Sequence, residues 1–243
     1  ERADIPPYAV EPIRRFVDPD EIGALRYAID RVRKQLGGDY PLIIDGKHVR
    51  TDTRLESVNP ANPTEIIGVA SDASSAHAHD AIESASRAFP SWSGLPARDR
   101  ADALIRAAAL MRHRREELAA WIVLEAGKPW RDSDADVAEA IDFLEYYARQ
   151  ALRLDRGHSM DAPGELNHYG YKPRGVAAVI APWNFPLAIL TGMTAAALVV
   201  GNTVVVKPAP QTLVIAAKLV DILHEAVSGK APPGTVNFLP GGD

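Results

Sequence analysis

There is no cysteine among the 243 residues. That excludes a disulfide framework and any cysteine-ligated zinc site, and it removes the thiolate from the available nucleophiles. Positive charge is not in surplus: 27 Lys and Arg stand against 32 Asp and Glu, a formal charge of −5. Neither a nucleic acid nor an anionic membrane surface is therefore an expected partner. Long apolar runs are missing too, since the longest weakly polar stretch, 187–200, is too short to span a bilayer. The start, Glu1-Arg2-Ala3-Asp4, has no signal-peptide core. These absences make the cytoplasm the expected compartment. Also absent are a Gly-x-Ser-x-Gly elbow, an internal repeat, and a Gly-x-Gly-x-x-Gly fingerprint where a dinucleotide fold usually carries one.

What is present is enough apolar sequence, 47%, for a sizeable core of one large domain or two modest ones. Asp18-Pro19 reads as an N-cap with Pro at the first helical position, and Ile22, Leu25, Ile29, Val32 and Leu36 follow at helical spacing. Gly37-Gly38 supplies the stop. Leu42-Ile43-Ile44, Asp45-Gly46 and Lys47-His48-Val49 form a strong hairpin signal. Asn59-Pro60 and Asn62-Pro63 read as a turn-rich connection. From Ser74 to about Gly127 the pattern predicts two helices broken near 90–96, the second carrying Leu104, Ala108, Met111, Leu118, Trp121 and Ile122. A further helix has Asp132, Asp134 and Asp136 in its first turn and Arg149 and Arg153 in its last, an order that complements the helix dipole. Its buried face is expected to be Val137, Ile141, Leu144 and Ala148.

After Leu154 the sequence turns to Gly, Pro, His and Asn without helical period, which predicts an extended arm through Pro173. Then Val176–Ile180 is a continuous apolar run with β-branched Val176, Val179 and Ile180, 187–200 an apolar helix, 203–206 a second buried strand, 212–227 an amphipathic helix and 236–239 a third strand. Strand–helix–strand–helix–strand with near-continuous apolar strands implies an α/β fold with a doubly wound parallel sheet. In such sheets ligands bind outside the carboxyl ends of the strands. Pro182-Trp183-Asn184-Phe185 follows the first strand and Lys207-Pro208-Ala209 the second, so both are expected at one edge. On residues alone this gives a ligand edge and nothing sharper.

The motifs go further. Ala181-Pro182-Trp183-Asn184-Phe185-Pro186, Gly201-Asn202-Thr203, Lys207-Pro208-Ala209 and Asn237-Phe238-Leu239-Pro240-Gly241 resemble the NAD(P)-dependent aldehyde dehydrogenases in order and spacing. Asn59-Pro60, Glu125-Ala126-Gly127-Lys128 and Lys172-Pro173-Arg174-Gly175-Val176 are similar to family positions as well, so the likeness covers essentially the whole chain. Within that superfamily the N-terminal helix and Ala138-Glu139-Ala140-Ile141-Asp142-Phe143 resemble the 1-pyrroline-5-carboxylate dehydrogenases, which oxidise L-glutamate γ-semialdehyde to glutamate.

That resemblance implies an aldehyde dehydrogenase-like fold, a Rossmann variant with N-terminal helices and oligomerisation arms. Its expected parts are an N-terminal helix and hairpin (1–50), the helical part of the cofactor-binding domain (51–153), an extended segment joining copies into a homo-oligomer (154–175) and the βαβαβ part (176–243). It implies that the Asn184 amide donates to the oxyanion of a thiohemiacetal; the competing reading is a turn Asn after a strand. Ile180, Ala181, Pro182, Trp183, Lys207, Pro208, Ala209, Pro210, Gln211 and Gly241 would line the cofactor groove, with Lys207 on the adenosine ribose and Gln211 and Gly241 on the adenine side. Glu139, Phe143 and Phe185 would border the aldehyde; otherwise Glu139 is helix surface and Phe143 core. Many NAD-preferring relatives carry Glu three residues after this Lys, where Pro210 stands here. The expected cofactor is NAD, with NADP also used.

No metal is expected. His77 and His79, two apart, do not share a helix face, and His113 sits among Arg112, Arg114 and Arg115, which reads as a solvated basic face. The family's nucleophilic Cys and general-base Glu are not matched by any residue here, so the chain alone is expected to be inactive. A fragment of a longer enzyme is the favoured account; a split subunit, part of a bifunctional proline-oxidising protein, or a non-catalytic nucleotide-binding or assembly module are the others.

Overall fold

The computed structural model describes residues 5–242, so the charged start at 1–4 lies outside the described residues. In chain order the elements are α1 (Pro19–Arg33), β1 (Gly38–Tyr40), β2 (Leu42–Ile44), β3 (Lys47–Val49), β4 (Arg54–Asn59), β5 (Asn62–Ser71), α2 (Ser75–Ser93), α3 (Ala97–His113), α4 (Arg115–Ala126) and α5 (Trp130–Asp155). There follow β6 (His158–Ser159), β7 (His168–Tyr169), β8 (Val176–Ile180), α6 (Ala188–Val199), β9 (Thr203–Lys207), a 3₁₀ turn (Pro210–Thr212), α7 (Leu213–Val227) and β10 (Val236–Phe238). Among the described residues no helix is long and apolar enough to cross a membrane.

The central sheet has the order β3-β2-β10-β9-β8. The strands β8, β9 and β10 run parallel, as the sequence pattern predicts. The hairpin grouped with the N-terminal helix in the sequence instead completes this sheet, β2 lying antiparallel to β10. Its turn takes the two left-handed residues a two-residue hairpin needs, Asp45 at φ 56° and Gly46 at φ 71°. Asn237 fastens that turn to the sheet: its Oδ1 accepts from the Asp45 amide at 3.1 Å.

Alternation along the strands separates two cores. Val204, Val206, Val236 and Phe238 belong to the large core with α6 and α7. Val205, Leu42 and Ile44 pack with Ala81 and Ala85 of α2 in a smaller one. The sheet is thus covered on both faces, and α3, α4 and α5 form a further layer behind α6 and α7.

Several expectations need correction. The Asn59-Pro60/Asn62-Pro63 stretch is the tip of the β4–β5 hairpin, with Asn59 opposite Asn62 and β1 added parallel to β5. The Asn59 Oδ1 accepts from the Ala61 amide at 2.9 Å, so the turn chemistry was rightly read but two long strands flank it. Ser74 to Gly127 holds three helices rather than two. Pro90 is tolerated in the last turns of α2, and Arg114 (φ −105°, ψ 19°) breaks α3 from α4 without disturbing the apolar phase.

In α5 the expected face is buried, with Val137, Ile141, Leu144 and Ala148 all inaccessible. Asp134 and Asp136, however, are buried as well, so they are specific partners rather than exposed dipole charges. The basic stretch around His113 is likewise not a solvated face throughout. Arg115 is buried against Asp134 at 2.7 Å, and Arg112 pairs with Glu11 and Glu145. These pairs hold the extended residues 5–17 over α3–α5, with Arg14 N–H on Asp134 and Glu11 N–H on Asp142. The 154–175 segment begins as the end of α5 and then forms the small antiparallel pair β6–β7.

Candidate functional site

The strand register sets the site. Ile180, last in β8, is the partner of Lys207, last in β9. The Ala181–Pro186 motif and the Lys207-Pro208-Ala209-Pro210 motif therefore leave the sheet side by side at its carboxyl edge, where an open α/β sheet receives ligands. The third strand delivers Gly241 to the same edge, buried beside Ala73.

Two motif segments prove to be scaffold. Gly201 has φ +100°, a conformation side chains rarely adopt, and a Cβ there would meet Pro173 Cγ at 3.3 Å. Asn202 Oδ1 then accepts from the Arg174 and Gly175 amides at 2.7 and 3.0 Å, fixing the entry to β8. Asn237 Nδ2 donates to the Gly234 carbonyl at 2.7 Å inside the fold.

The motif segments at the carboxyl edge are open. Ile180 is 66% exposed and Trp183 55% exposed. Trp183, Pro210 and Gln211 line one cleft of about 490 Å³ with Glu56, Val58, Pro60 and Glu125. Lys207, half-buried at the strand end, and Gly241 do not line that cleft. An apolar wall beside a positive strand end suits a planar heteroaromatic ring attached to anionic groups.

Beneath the cleft lies Glu125, buried in the last turn of α4. Ser57 Oγ and the Val214 amide donate to its Oε1 at 2.7 Å each, and the Ile215 amide donates to Oε2 at 2.8 Å. Burial pushes this carboxyl up to about 7, while Ser57 and the helix amides pull it down. Glu125 thus caps α7, which has no side-chain cap of its own.

On the other side of the loop, Asn184 is exposed and its carbonyl accepts from Lys128 Nζ at 3.3 Å. The same ammonium lies 2.8 Å from Asp136 Oδ2 and 4.3 Å from the Phe185 ring centroid. Asp136 Oδ1 accepts from the Ala188 amide at 2.7 Å. Burial raises the Asp136 carboxyl, and Lys128 opposes that shift. Glu139 is exposed one turn along α5; lost solvation raises its carboxyl first, then the Asp136 charge. Phe143 is half-buried, stacked on Tyr147 with centroids 5.7 Å apart, and presses on Gly192 of α6. These are packing contacts. Phe185 and Asn184 meet through Lys128, whose positive charge also opposes the rise of the Glu139 carboxyl.

The sequence reading missed Lys128, Asp136, Ser57 and Glu56 as site residues. Only Lys128 carried a signal, as part of a motif. A carboxylate inside the apolar run of α4 was the available pointer to Glu125.

Known proteins resemble this chain along nearly its whole length. The chain is 50% identical over 236 residues to 1-pyrroline-5-carboxylate dehydrogenase 2 of Bacillus subtilis (strain 168), covering 97% of this chain and 45% of that one. It is 48% identical over 238 residues to 1-pyrroline-5-carboxylate dehydrogenase of Geobacillus kaustophilus, covering 98% and 46%. The Thermus 1-pyrroline-5-carboxylate dehydrogenase solved with bound NAD superposes with TM-score 0.94 at 48% identity, over 99% of this chain and 46% of that one. Proline utilization A from Bdellovibrio bacteriovorus superposes with TM-score 0.94 at 40% identity, over 99% of this chain and 25% of that one. The chain spans about half the length of the curated relatives it matches. The aldehyde dehydrogenase family pattern itself matches residues 48–243, taking in every motif at the carboxyl edge, and this chain belongs to that family.

Proposed function

We propose that this chain is the cofactor-binding half of an NAD(P)-dependent enzyme that oxidises L-glutamate γ-semialdehyde to L-glutamate in the cytoplasm. The observation that carries the reading is the Ile180–Lys207 register, which sets the Asn184 loop beside the lysine end of the next strand. The substrate assignment is supported by the relatives named above.

NAD, when bound, accepts the hydride. The groove residues are proposed to be Ile180, Ala181, Pro182, Trp183, Lys207, Pro208, Ala209, Pro210, Gln211 and Gly241. Lys207 contributes positive charge toward the ribose, and Trp183 and Pro210 give apolar wall. Asn184 serves the reacting aldehyde. Attack by a thiolate turns the carbonyl into a tetrahedral oxyanion, and a fixed neutral amide donor stabilises charge absent from the ground state, by roughly 3 kcal/mol. With no cysteine in these 243 residues, the thiolate comes from sequence outside them. Glu139, Phe143 and Phe185 are proposed to border the aldehyde.

The test is Asn184→Ala in the complete enzyme. The expected result is a fall in kcat of about a hundredfold with little change in NAD affinity; an unchanged hydride-transfer rate returns Asn184 to a turn residue. The substrate is tested by kcat/KM for glutamate γ-semialdehyde against simple aliphatic aldehydes, preference for the latter overturning it. A non-catalytic nucleotide-binding role is the second reading, favoured by the missing cysteine. Full activity of the longer protein against none from this chain, followed at 340 nm, decides against it.

We also propose that 154–175 joins copies into a homo-oligomer. Met160, Leu166, Tyr169 and Tyr171 lie exposed on this arm, 74%, 91%, 55% and 61% accessible. Light scattering of the complete enzyme should give a multimer, and a monomer sinks the proposal.

A further inference from the structure

We infer that Lys128 is a positioning residue for Asn184, clamping the main chain of the 181–187 loop so that the Asn184 amide is held toward the reacting aldehyde. The inference rests on the reading of Asn184 as the oxyanion donor.

The loop has little to hold it. Residues 182–185 are exposed, and α6, into which it feeds, has no charged residue and no side-chain cap of its own. Its fastenings come instead from the α4–α5 corner. Asp136 takes the Ala188 amide at 2.7 Å, at the far end of the loop. Lys128 takes the Asn184 carbonyl at 3.3 Å and lies 4.3 Å from the Phe185 ring centroid, in the middle of it. The two clamps are joined by the 2.8 Å Lys128–Asp136 ion pair.

This pair is unlike an exposed one. The Lys128 side chain is 16% accessible and that of Asp136 0%, so the ion pair holds the ammonium at this corner, while its bond to the Asn184 carbonyl faces solvent. The corner that presents Lys128 is closely packed as well. Gly127 is left-handed at φ +65°, and a Cβ there would stand 2.8 Å from Pro60 Cγ. A donor acting on a charge that exists only after attack must be in place before the reaction, and a misplacement of about 1 Å can cost roughly a hundredfold in rate. Among the described residues, Lys128 and Asp136 hydrogen-bond the main chain of this loop and the first residue of α6 from outside.

The test is a cycle of variants in the complete enzyme, following single-turnover hydride transfer. Lys128→Met should slow it by about tenfold to a hundredfold while the KM values for aldehyde and NAD move less than about threefold. In an Asn184→Ala background the same change should cost less than about twofold more, because Lys128 acts through Asn184. Lys128→Arg, which keeps the charge and the donors, should recover at least about a third of the rate. Amide exchange across 181–187 should quicken in Lys128→Met and not in Lys128→Arg. If Lys128→Met does not fold, Lys128→Met/Asp136→Asn, which leaves no buried unpaired carboxylate, takes its place in the cycle. Multiplicative slowing with Asn184→Ala, or a normal rate in Lys128→Met beside a slow Asn184→Ala, overturns the inference alone. A normal rate in Asn184→Ala overturns the oxyanion reading and the inference with it.

Discussion

Glu125 caps a helix that is remote from it in sequence: its Oε1 lies 2.7 Å from the Val214 amide, and Oε2 lies 2.8 Å from that of Ile215. Both oxygens are acceptors, which a carboxylate supplies and a carboxamide does not. Glu125→Gln should leave an NH₂ group facing a backbone N–H, at a cost of about 1–3 kcal/mol. Urea denaturation of this chain at pH 8 measures it, and a variant as stable as wild type would remove the capping role.

The same residue sets a pH dependence. Its folded carboxyl is raised from 4.5 to about 7 by burial, so the native state holds this proton more tightly than the unfolded chain. Stability contributed by Glu125 is therefore greatest below pH 4.5 and declines as pH rises to about 7, with no further change above. The Gln variant should lack that decline. Equal slopes between pH 5 and 7 in the two proteins would contradict the assignment.

Two glycines separate backbone strain from crowding. Gly127 and Gly37 are both left-handed, at φ +65° and +75°, but a Cβ on Gly127 would meet Pro60 Cγ at 2.8 Å whereas Gly37 has open space. Gly37→Ala should cost only the conformational part, about 1–2 kcal/mol. Gly127→Ala should cost more, because the β4–β5 tip must move. Equal losses in melting experiments would show that Pro60 yields freely.

Arg115 and Asp134 are 6% and 1% accessible, and Arg115 also binds Glu11 and the Pro12 carbonyl. Arg115→Met should cost about 3–5 kcal/mol by leaving a buried carboxylate without its partner. It should also release residues 5–17 to limited proteolysis. The exposed Arg87–Glu83 pair, 4.0 Å apart, gives the contrast; Arg87→Met should change stability by less than about 0.5 kcal/mol. An Arg115→Met protein with normal stability and a protected arm would show the pair to be dispensable.

The parallel strands were legible because Val176–Ile180 and Thr203–Lys207 are apolar runs rich in β-branched residues; 203–206 is buried throughout, whereas β8, at the edge of the sheet, exposes Ala178 and Ile180. The β4–β5 hairpin was not, because its Asn-Pro pairs carry a loop signature while Arg54, Glu56 and Glu65 dilute the apolar alternation. The Asn184 and Lys207 motifs could be placed at one edge from strand order alone. Lys128 and Asp136 could not be joined, since a helix break separates them and a side chain on a distant carbonyl has no spacing in sequence. Asp134 and Asp136 fitted a dipole pattern so well that their burial was invisible.

Pro210 is proposed to govern cofactor choice. It opens the 3₁₀ turn after β9, three residues beyond Lys207, and shares a cleft with Trp183 and Gln211. A glutamate at this point would accept from a ribose 2′-hydroxyl and repel a 2′-phosphate. Proline does neither, and having no backbone N–H it offers the phosphate no donor. Lys207 is the positive charge at the end of β9, while Glu56 and Glu125 line the cleft that holds Pro210. The expected behaviour of the complete enzyme is NAD as main cofactor with measurable use of NADP. Pro210→Glu should then raise the NAD:NADP ratio of kcat/KM, by about tenfold or more for one repulsion across a few ångströms of partly screened space. The gain should come mainly from poorer use of NADP. Measuring both cofactors in both proteins decides it, and a ratio that does not rise means that Pro210 faces away from the ribose.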